Sequence, residues 1–313
     1  MEFFVVSALN GFIHGLLLFM VSAGLTLIFG MMGILNFAHA SFYMLGAYFA
    51  YAMSSRLGFW PGLLLAPLLV AGVGMLIERY LLRPAHSLGH GHELLITFGL
   101  SLLAEEIIKL AFGNFPVEYN IPESLRFAAF SAYGISYPFF RLFIGIIAVG
   151  MFGILFLMLK FTRIGIVVRA SVQRPMMVEA LGHNVPLVFL GVFGVGAWMA
   201  GVAGVVGGAY FTVNPNMALE LGVSVFVVVT VGGLGSLEGA LVASLLIGLL
   251  CSFSVGIDVS LSDLLEYAGL GDWAARTGGL LMLKVSSLAG SMPVIVMLIV
   301  LMFRPTGLLG ARD

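Results

Sequence analysis

The sequence predicts an all-α integral membrane protein, a polytopic bundle of about nine transmembrane helices (roughly eight to ten), some short or broken, with the N-terminus outside and the C-terminus cytoplasmic. Of the 313 residues, 61% are hydrophobic and 9% charged, against roughly 45–50% and ~25% in soluble domains. No Asp, Glu, Lys or Arg occurs from Phe3 to Ser55. Eight of the 14 basic residues fall in three bunches: Arg79 with Arg83; Lys160, Arg163, Arg169 and Arg174; Arg304 with Arg312.

A span needs about 20 mostly apolar residues. Apolar runs between loop signals place helices near 7–29, 37–53, 61–82, 94–112, 142–160, 186–211, 222–234, 240–255 and 292–303. With these spans the basic clusters all fall on one face, which the positive-inside rule makes cytoplasmic. The opposite face receives segments 114–141 and 256–290, both long and comparatively poor in basic residues, as candidate docking elements for an extracytoplasmic partner. The second carries Asp258, Asp263, Glu266, Asp272, Arg276 and Lys284. Glu2 is the only charge ahead of the first run, so that run lacks the basic flank of a signal peptide and is expected to stay as a span. A net charge of −1 offers nothing to nucleic acid, and the single cysteine, Cys251, reads as a packed thiol.

The strongest local pattern lies in segment 163–185, within which a short surface helix is expected between Gly165 and Gly182. Basic residues open it, Pro175 must begin a turn or kink it, and Gly182 stops it. Taken alone, this is either a solvated loop helix or a docking element. The Glu179-Ala180-x-Gly182 arrangement, preceded by Arg169-Ala170, is similar to the coupling segment of ABC importer permeases. The whole chain resembles the branched-chain amino acid permeases of the LivH type. The matching stretches are Gly24-Leu25-Thr26-Leu27-Ile28-Phe29-Gly30, Asn36-Phe37-Ala38-His39, Leu45-Gly46-Ala47-Tyr48, Leu82-Arg83-Pro84, Gly232-Gly233-Leu234-Gly235-Ser236 and Phe303-Arg304-Pro305-Thr306-Gly307-Leu308. They occur in family order. Ala40 stands where the family commonly has glycine, and Leu237-Glu238 where it has a neutral or proline-containing turn.

The resemblance implies a single permease domain over 1–313 in a bacterial-type cytoplasmic membrane. Its partners would be a second permease subunit, identical or homologous, two cytoplasmic ATPase subunits and an extracytoplasmic binding protein. Arg163, Gly165, Arg169, Ala170, Glu179, Ala180 and Gly182 would then couple to the ATPases. The residues agree on one point. Lys109, Lys160 and Lys284 follow Ile108, Leu159 and Leu283, so there is no Walker motif to bind nucleotide. No catalytic residue, metal or cofactor is expected on this chain; ATP and Mg would sit on separate subunits.

For a substrate path, the run from Gly30 to His39 is the first candidate. An unsatisfied polar group in hydrocarbon costs several kcal/mol, so Asn36 and His39 should face other helices or a wet path. Interhelical hydrogen bonding and pore lining both satisfy that demand. Gly30-x-x-Gly33 and Gly232-Gly233-x-Gly235 each precede a span with spaced small residues, a weak internal repeat. Asn36, His39, Gly33, Gly232, Gly233, Gly235 and Ser236 together form the candidate pathway, which would offer an amino acid backbone amides, carbonyls and an apolar wall. Urea or a short amide is an alternative cargo. A stand-alone channel or ion-coupled carrier is the alternative of another class, for which Glu105, Glu106 and Lys109 are the dense charges. These read better as an ion pair near the outer interface. His86, His90, His92 and Glu93 read as a solvated loop in preference to a metal site, and the glycines of 191–208 as a packing face, within the chain or at a dimer seam.

Overall fold

The computed structural model describes residues 2–86, 88–132, 135–257, 259–267, 273, 276–277, 279 and 283–310. Asp258, Asp272 and Arg312 lie outside the described residues. The helices are α1 (Glu2–Met32), α2 (His39–Leu57), α3 (Phe59–Ile77), α4 (Arg83–His86), α5 (His90–Phe112), α6 (Phe139–Phe161), α7 (Arg163–Gln173), α8 (Pro175–Ala180), α9 (Val185–Tyr210), α10 (Met217–Gly232), α11 (Leu237–Gly256), α12 (Leu261–Tyr267) and α13 (Met292–Phe303). Each segment expected to span coincides with one of them, the third running from α3 through a π-helical turn at Glu78–Leu82 into α4. Among the described residues, six helices are long and apolar enough to cross a membrane. Of the three remaining candidates, α2 is less apolar and carries His39 and Arg56, α5 carries Glu93, Glu105, Glu106 and Lys109, and α10 is apolar but has only 16 residues.

Segment 114–141 is more ordered than a loop. A 3₁₀ turn at Glu123–Leu125 leads into an antiparallel hairpin, β1 (Ala128–Ala132) with β2 (Ile135–Pro138), and α6 begins at Phe139, so Arg141 belongs to a helix. Segment 256–290 likewise holds α12 and a 3₁₀ stretch at Val285–Ser291.

The bundle is organised around α1. This helix is apolar on every side, with no polar face to turn outward, and it sits inside, against α11, α9 and α6. Small residues set the spacing. A Cβ at Gly15 would lie 2.7 Å from the Ser244 carbonyl oxygen of α11, and one at Gly11 2.8 Å from the Leu249 Cα. On α9, Gly196 faces Ile28 and Gly24 of α1, Gly201 faces Pro67 and Val70 of α3, and Gly204 lies under the Tyr43 backbone of α2. The α9 glycines with close neighbours are therefore an intrachain packing face, not a dimer seam. Lipid drives helices together less than water does, so close van der Waals approach carries this association.

Gly204→Val pushes a branched side chain into the Tyr43 backbone and is expected to cost about 2 kcal/mol or more. Gly150→Ala, at a position where a Cβ meets nothing within 4 Å, should be neutral. Thermal unfolding of the two detergent-solubilised variants checks the contrast.

Candidate functional site

The chain does not turn at the membrane surface after α1. Gly33 takes a positive φ of 68°, a conformation costly for a residue with a Cβ, and residues 33–38 run without helix back into the bundle. The ring of His39, the first residue of α2, lies 3.0 Å through Nε2 from the Val21 carbonyl. Val21 is eleven residues before the end of α1, a rise of about 16 Å. The break between the first two spans is thus a non-helical strand folded back alongside α1, which sets Asn36 and His39 against other helices as their polarity demands. Such backbone persists in a membrane only where protein buries it or it lines a cavity.

Here it does both. Asn36 is 3% exposed and His39 1%. Both line a cavity of about 350 Å³ with Leu25, Phe37, Ala40, Phe98, Ala218, Gly222 and Phe226. Phe37 and Phe226 stack at 6.0 Å along one wall. A carbonyl only accepts, so His39 donates from Nε2 to Val21, and a neutral ring leaves Nδ1 as a bare acceptor. The Asn36 Oδ1 accepts from the Ala38 amide at 3.0 Å, leaving its NH₂ as a donor. Neither Asn36 Nδ2 nor His39 Nδ1 has a partner among the described residues. The cavity lining therefore combines an amide donor and an imidazole acceptor that lack protein partners, the Ser101 hydroxyl, and apolar walls.

The second glycine break lies elsewhere. Gly232, Gly233, Gly235 and Ser236 do not line this cavity, and Gly33 does not either. Leu308 and Leu309 donate to the carbonyls of Val231 and Gly232 at 2.8 and 3.0 Å, so the C-terminal turn covers the break. Ser236 caps α11, accepting from Gly239 N at 3.1 Å. A Cβ at Gly30 would lie 3.3 Å from the Gly235 Cα, so the two breaks meet backbone to backbone. The expected pathway divides: Asn36 with His39 at the cavity, and Gly235 with Gly30 at a small cleft shared with Thr26, Arg169 and Gln173.

That cleft connects to segment 163–185, which is two helices. Thr162 Oγ1 caps α7 by accepting from Gly165 N at 3.2 Å, and Gly165 lies against the backbone of Met158 and Leu159, where a Cβ has no room. Val168 and Ser171 face inward, and Arg169 donates to the Leu159 carbonyl. Pro175 opens α8, the position where its missing N–H is harmless. Gly182, with φ 87°, ends the pair. Glu179 and Ala180 are exposed, and around them project Met176, 83% exposed, with Met177 and Leu181. Those three apolar residues were missed in sequence; apolar side chains on a short helix at the water's edge were the available signal.

Beside α8, charge is buried. Glu78, 1% exposed, in the π-helical turn, is gripped by Arg83 at 2.8 and 3.0 Å, and the same guanidinium donates to the Pro186 carbonyl at 2.9 Å. Pro186 follows the coupling pair directly. Glu93 is also 1% exposed and accepts from His86 at 2.5 Å and His90 at 3.3 Å, so the expectation of a solvated segment holds for the exposed histidines and fails for this buried carboxylate, which opens α5. Lys109 pairs with Glu105 at 2.6 Å and Glu106 at 2.9 Å, the ion pair expected from their spacing. At the far end of α1, Arg141 donates to Asn10 and lies 5.5 Å from the rings of both Tyr137 and Tyr210.

The chain is thus a helical bundle with a non-helical segment folded back beside a largely apolar cavity that holds a few polar groups. The family described as "Branched-chain amino acid transport system / permease component" matches residues 7–302, and the chain belongs to it. It is 26% identical to the high-affinity branched-chain amino acid transport system permease protein BraD of Pseudomonas aeruginosa, over 97% of this chain and 95% of that one. It is 27% identical to LivH of Escherichia coli strain K12, over 79% and 84%. A probable LivH of Methanocaldococcus jannaschii is 29% identical over 76% of each. The solved structure of PsaBC from Streptococcus pneumoniae in complex with Fab aligns over 95% of this chain and 91% of that one, with a TM-score of 0.46 and 12% identity.

Arg83→Ala strands the Glu78 carboxylate in the interior and is expected to cost about 3 kcal/mol. Replacing both residues with leucine should recover most of that loss, as read by melting temperatures of the solubilised proteins.

Proposed function

We propose that this chain is the membrane-spanning subunit of an ATP-driven importer that carries branched-chain or related hydrophobic amino acids across the cytoplasmic membrane. The observation that carries the reading is the cavity at Asn36 and His39. Its volume of about 350 Å³ falls at the small end of ligand pockets. A small zwitterion with an aliphatic side chain matches its chemistry: a donor for the carboxylate, an acceptor for the ammonium, and hydrocarbon for the rest. The apolar run of each expected span and the one-sided basic clusters support nine spans, with the N-terminus outside and the C-terminus cytoplasmic.

Energy comes from elsewhere in this reading. Two ATPase subunits dock on the exposed face of α8 around Glu179, Met176 and Leu181, bringing their own ATP and Mg; this chain holds no cofactor. A second permease subunit completes the membrane part, and an extracytoplasmic binding protein delivers cargo to the face carrying the β1–β2 hairpin. When the ATPases close, α8 and α7 shift together. Arg169 passes the movement to the cleft at Gly30 and Gly235, where the facing backbones have no side chains to interlock. The end of α1 then carries the re-entrant segment, and with it Asn36, between outward and inward exposure.

Two sets of substitutions test the reading in the assembled importer in liposomes. Asn36→Ala and His39→Ala should each lower uptake of leucine by about tenfold, the loss of one buried polar contact, while the ATPase subunits still co-purify. Glu179→Ala and Gly182→Val should instead weaken ATPase co-purification with the permease still in the membrane. Full-rate transport by this chain alone rejects the importer, and preference for urea over leucine rejects the cargo.

A further inference from the structure

A second, larger cavity lies on the opposite side of α1. It is a slot of about 560 Å³ between α6, α7 and α9, walled by Leu27, Met158, Val167, Val192 and Val195. The polar side chains in its lining are Arg163 and His183 alone, at the ends of α7 and α8 nearest the surface. The α9 residues that line it run from Leu187 to Val195, eight residues along the helix, a depth of about 12 Å, most of one leaflet of a hydrocarbon core of about 30 Å.

Charge at the mouth has one sign. Lys160, Arg163, Arg169 and Arg174 fall within a stretch that contains no Asp or Glu between Arg141 and Glu179. Neither Arg163 nor His183 makes a side-chain hydrogen bond or ion pair among the described residues, and both are exposed. An apolar channel most of a leaflet deep, with an unpaired guanidinium and an imidazole at its mouth, fits an amphiphile with an anionic head.

We propose that this slot holds an acyl chain of an anionic phospholipid of the cytoplasmic leaflet, with its phosphate on Arg163 and His183. The leaflet rests on the orientation given above; the lipid itself does not depend on the cargo or on ATP. Seated there, the chain packs against Ile164 and Val167, so it forms one wall of the bed on which α7 rests. The headgroup holds the same helix through Arg163. Tilting of α7 is then resisted in membranes that supply such a lipid.

Gly191 lines the slot, and a Cβ there meets nothing within 4 Å. Gly191→Phe should fill the channel without displacing protein, and Val195→Phe should block its deep end. The test is native mass spectrometry of the permease–ATPase complex released from nanodiscs of phosphatidylglycerol or phosphatidylcholine. The wild type should retain phosphatidylglycerol and not phosphatidylcholine. Both filling variants should lose it, and Gly150→Phe, two turns from the slot on α6, should keep it. Arg163→Gln should cut the preference for the anionic lipid by about fivefold, the effect of one surface charge, and His183→Gln by a smaller factor, the loss of a hydrogen-bond donor. Equal retention of both lipids by the wild type overturns the proposal, as does undiminished phosphatidylglycerol in the filling variants. Should neither filling variant assemble, an unchanged preference in the two surface variants overturns it equally.

Discussion

Everything in this bundle depends on backbones coming close where glycine allows it. Hydrocarbon gives helices little reason to associate through apolar area alone, because lipid tails solvate leucine as well as another helix does. Dispersion between closely approaching main chains takes over. Gly11 and Gly15 bring α11 against α1, Gly24 meets Gly196, Gly46 meets Gly201, and Gly204 receives Tyr43. These contacts set α11 and α9 against α1 and hold α2 on α9. Once α1 is surrounded by protein, polar backbone beside it can be satisfied internally, which makes the re-entrant segment affordable in a membrane.

The polar groups follow from that enclosure. Glu78 and Glu93 are both removed from solvent, and each is gripped by bases drawn from neighbouring turns. A buried carboxylate that lost its partner would be far more costly than one exposed, so these knots keep the α3–α5 connection in one shape. Arg83 extends the knot to the Pro186 carbonyl and so joins that connection to the beginning of α9. At the cavity the same logic runs the other way. Asn36 and His39 spend one hydrogen-bonding atom each on the protein and keep one each without a protein partner, which favours a polar ligand over a closed core.

Much of the helical plan was legible in the linear pattern, because a membrane span is a local property: enough apolar residues in a row satisfy their own backbone bonds whatever surrounds them. The runs at 7–29, 142–160 and 240–255 became α1, α6 and α11 on that basis. The pairing of Lys109 with Glu105 was also local, a matter of helical spacing. Pro175 and Gly182 marked the end of one surface helix and the stop of the next for the same reason. Glu93 was misread because its neighbours, flexible glycines and histidines, look solvated in sequence; only folding back of α4 onto α5 buries it. Met176, Met177 and Leu181 mark a short apolar cluster beside polar neighbours in sequence, but only the fold shows that they point outward.

By itself, then, the sequence determined a helical membrane protein, its family motifs and the polarity of its surface loops, all quantities that composition and short-range spacing carry. Only the tertiary structure decided that Asn36 and His39 lie at depth beside a cavity while Gly232, Gly233, Gly235 and Ser236 lie under the C-terminal turn. The two glycine breaks look alike in one dimension. Their fates differ because the first is drawn inward by a ring reaching the Val21 carbonyl, and the second is capped by backbone amides seventy-odd residues further along the chain. Long-range hydrogen bonds of this kind leave no periodic trace in a sequence, and the separation of the Asn36–His39 cavity from the Gly30–Gly235 cleft was therefore decided by packing.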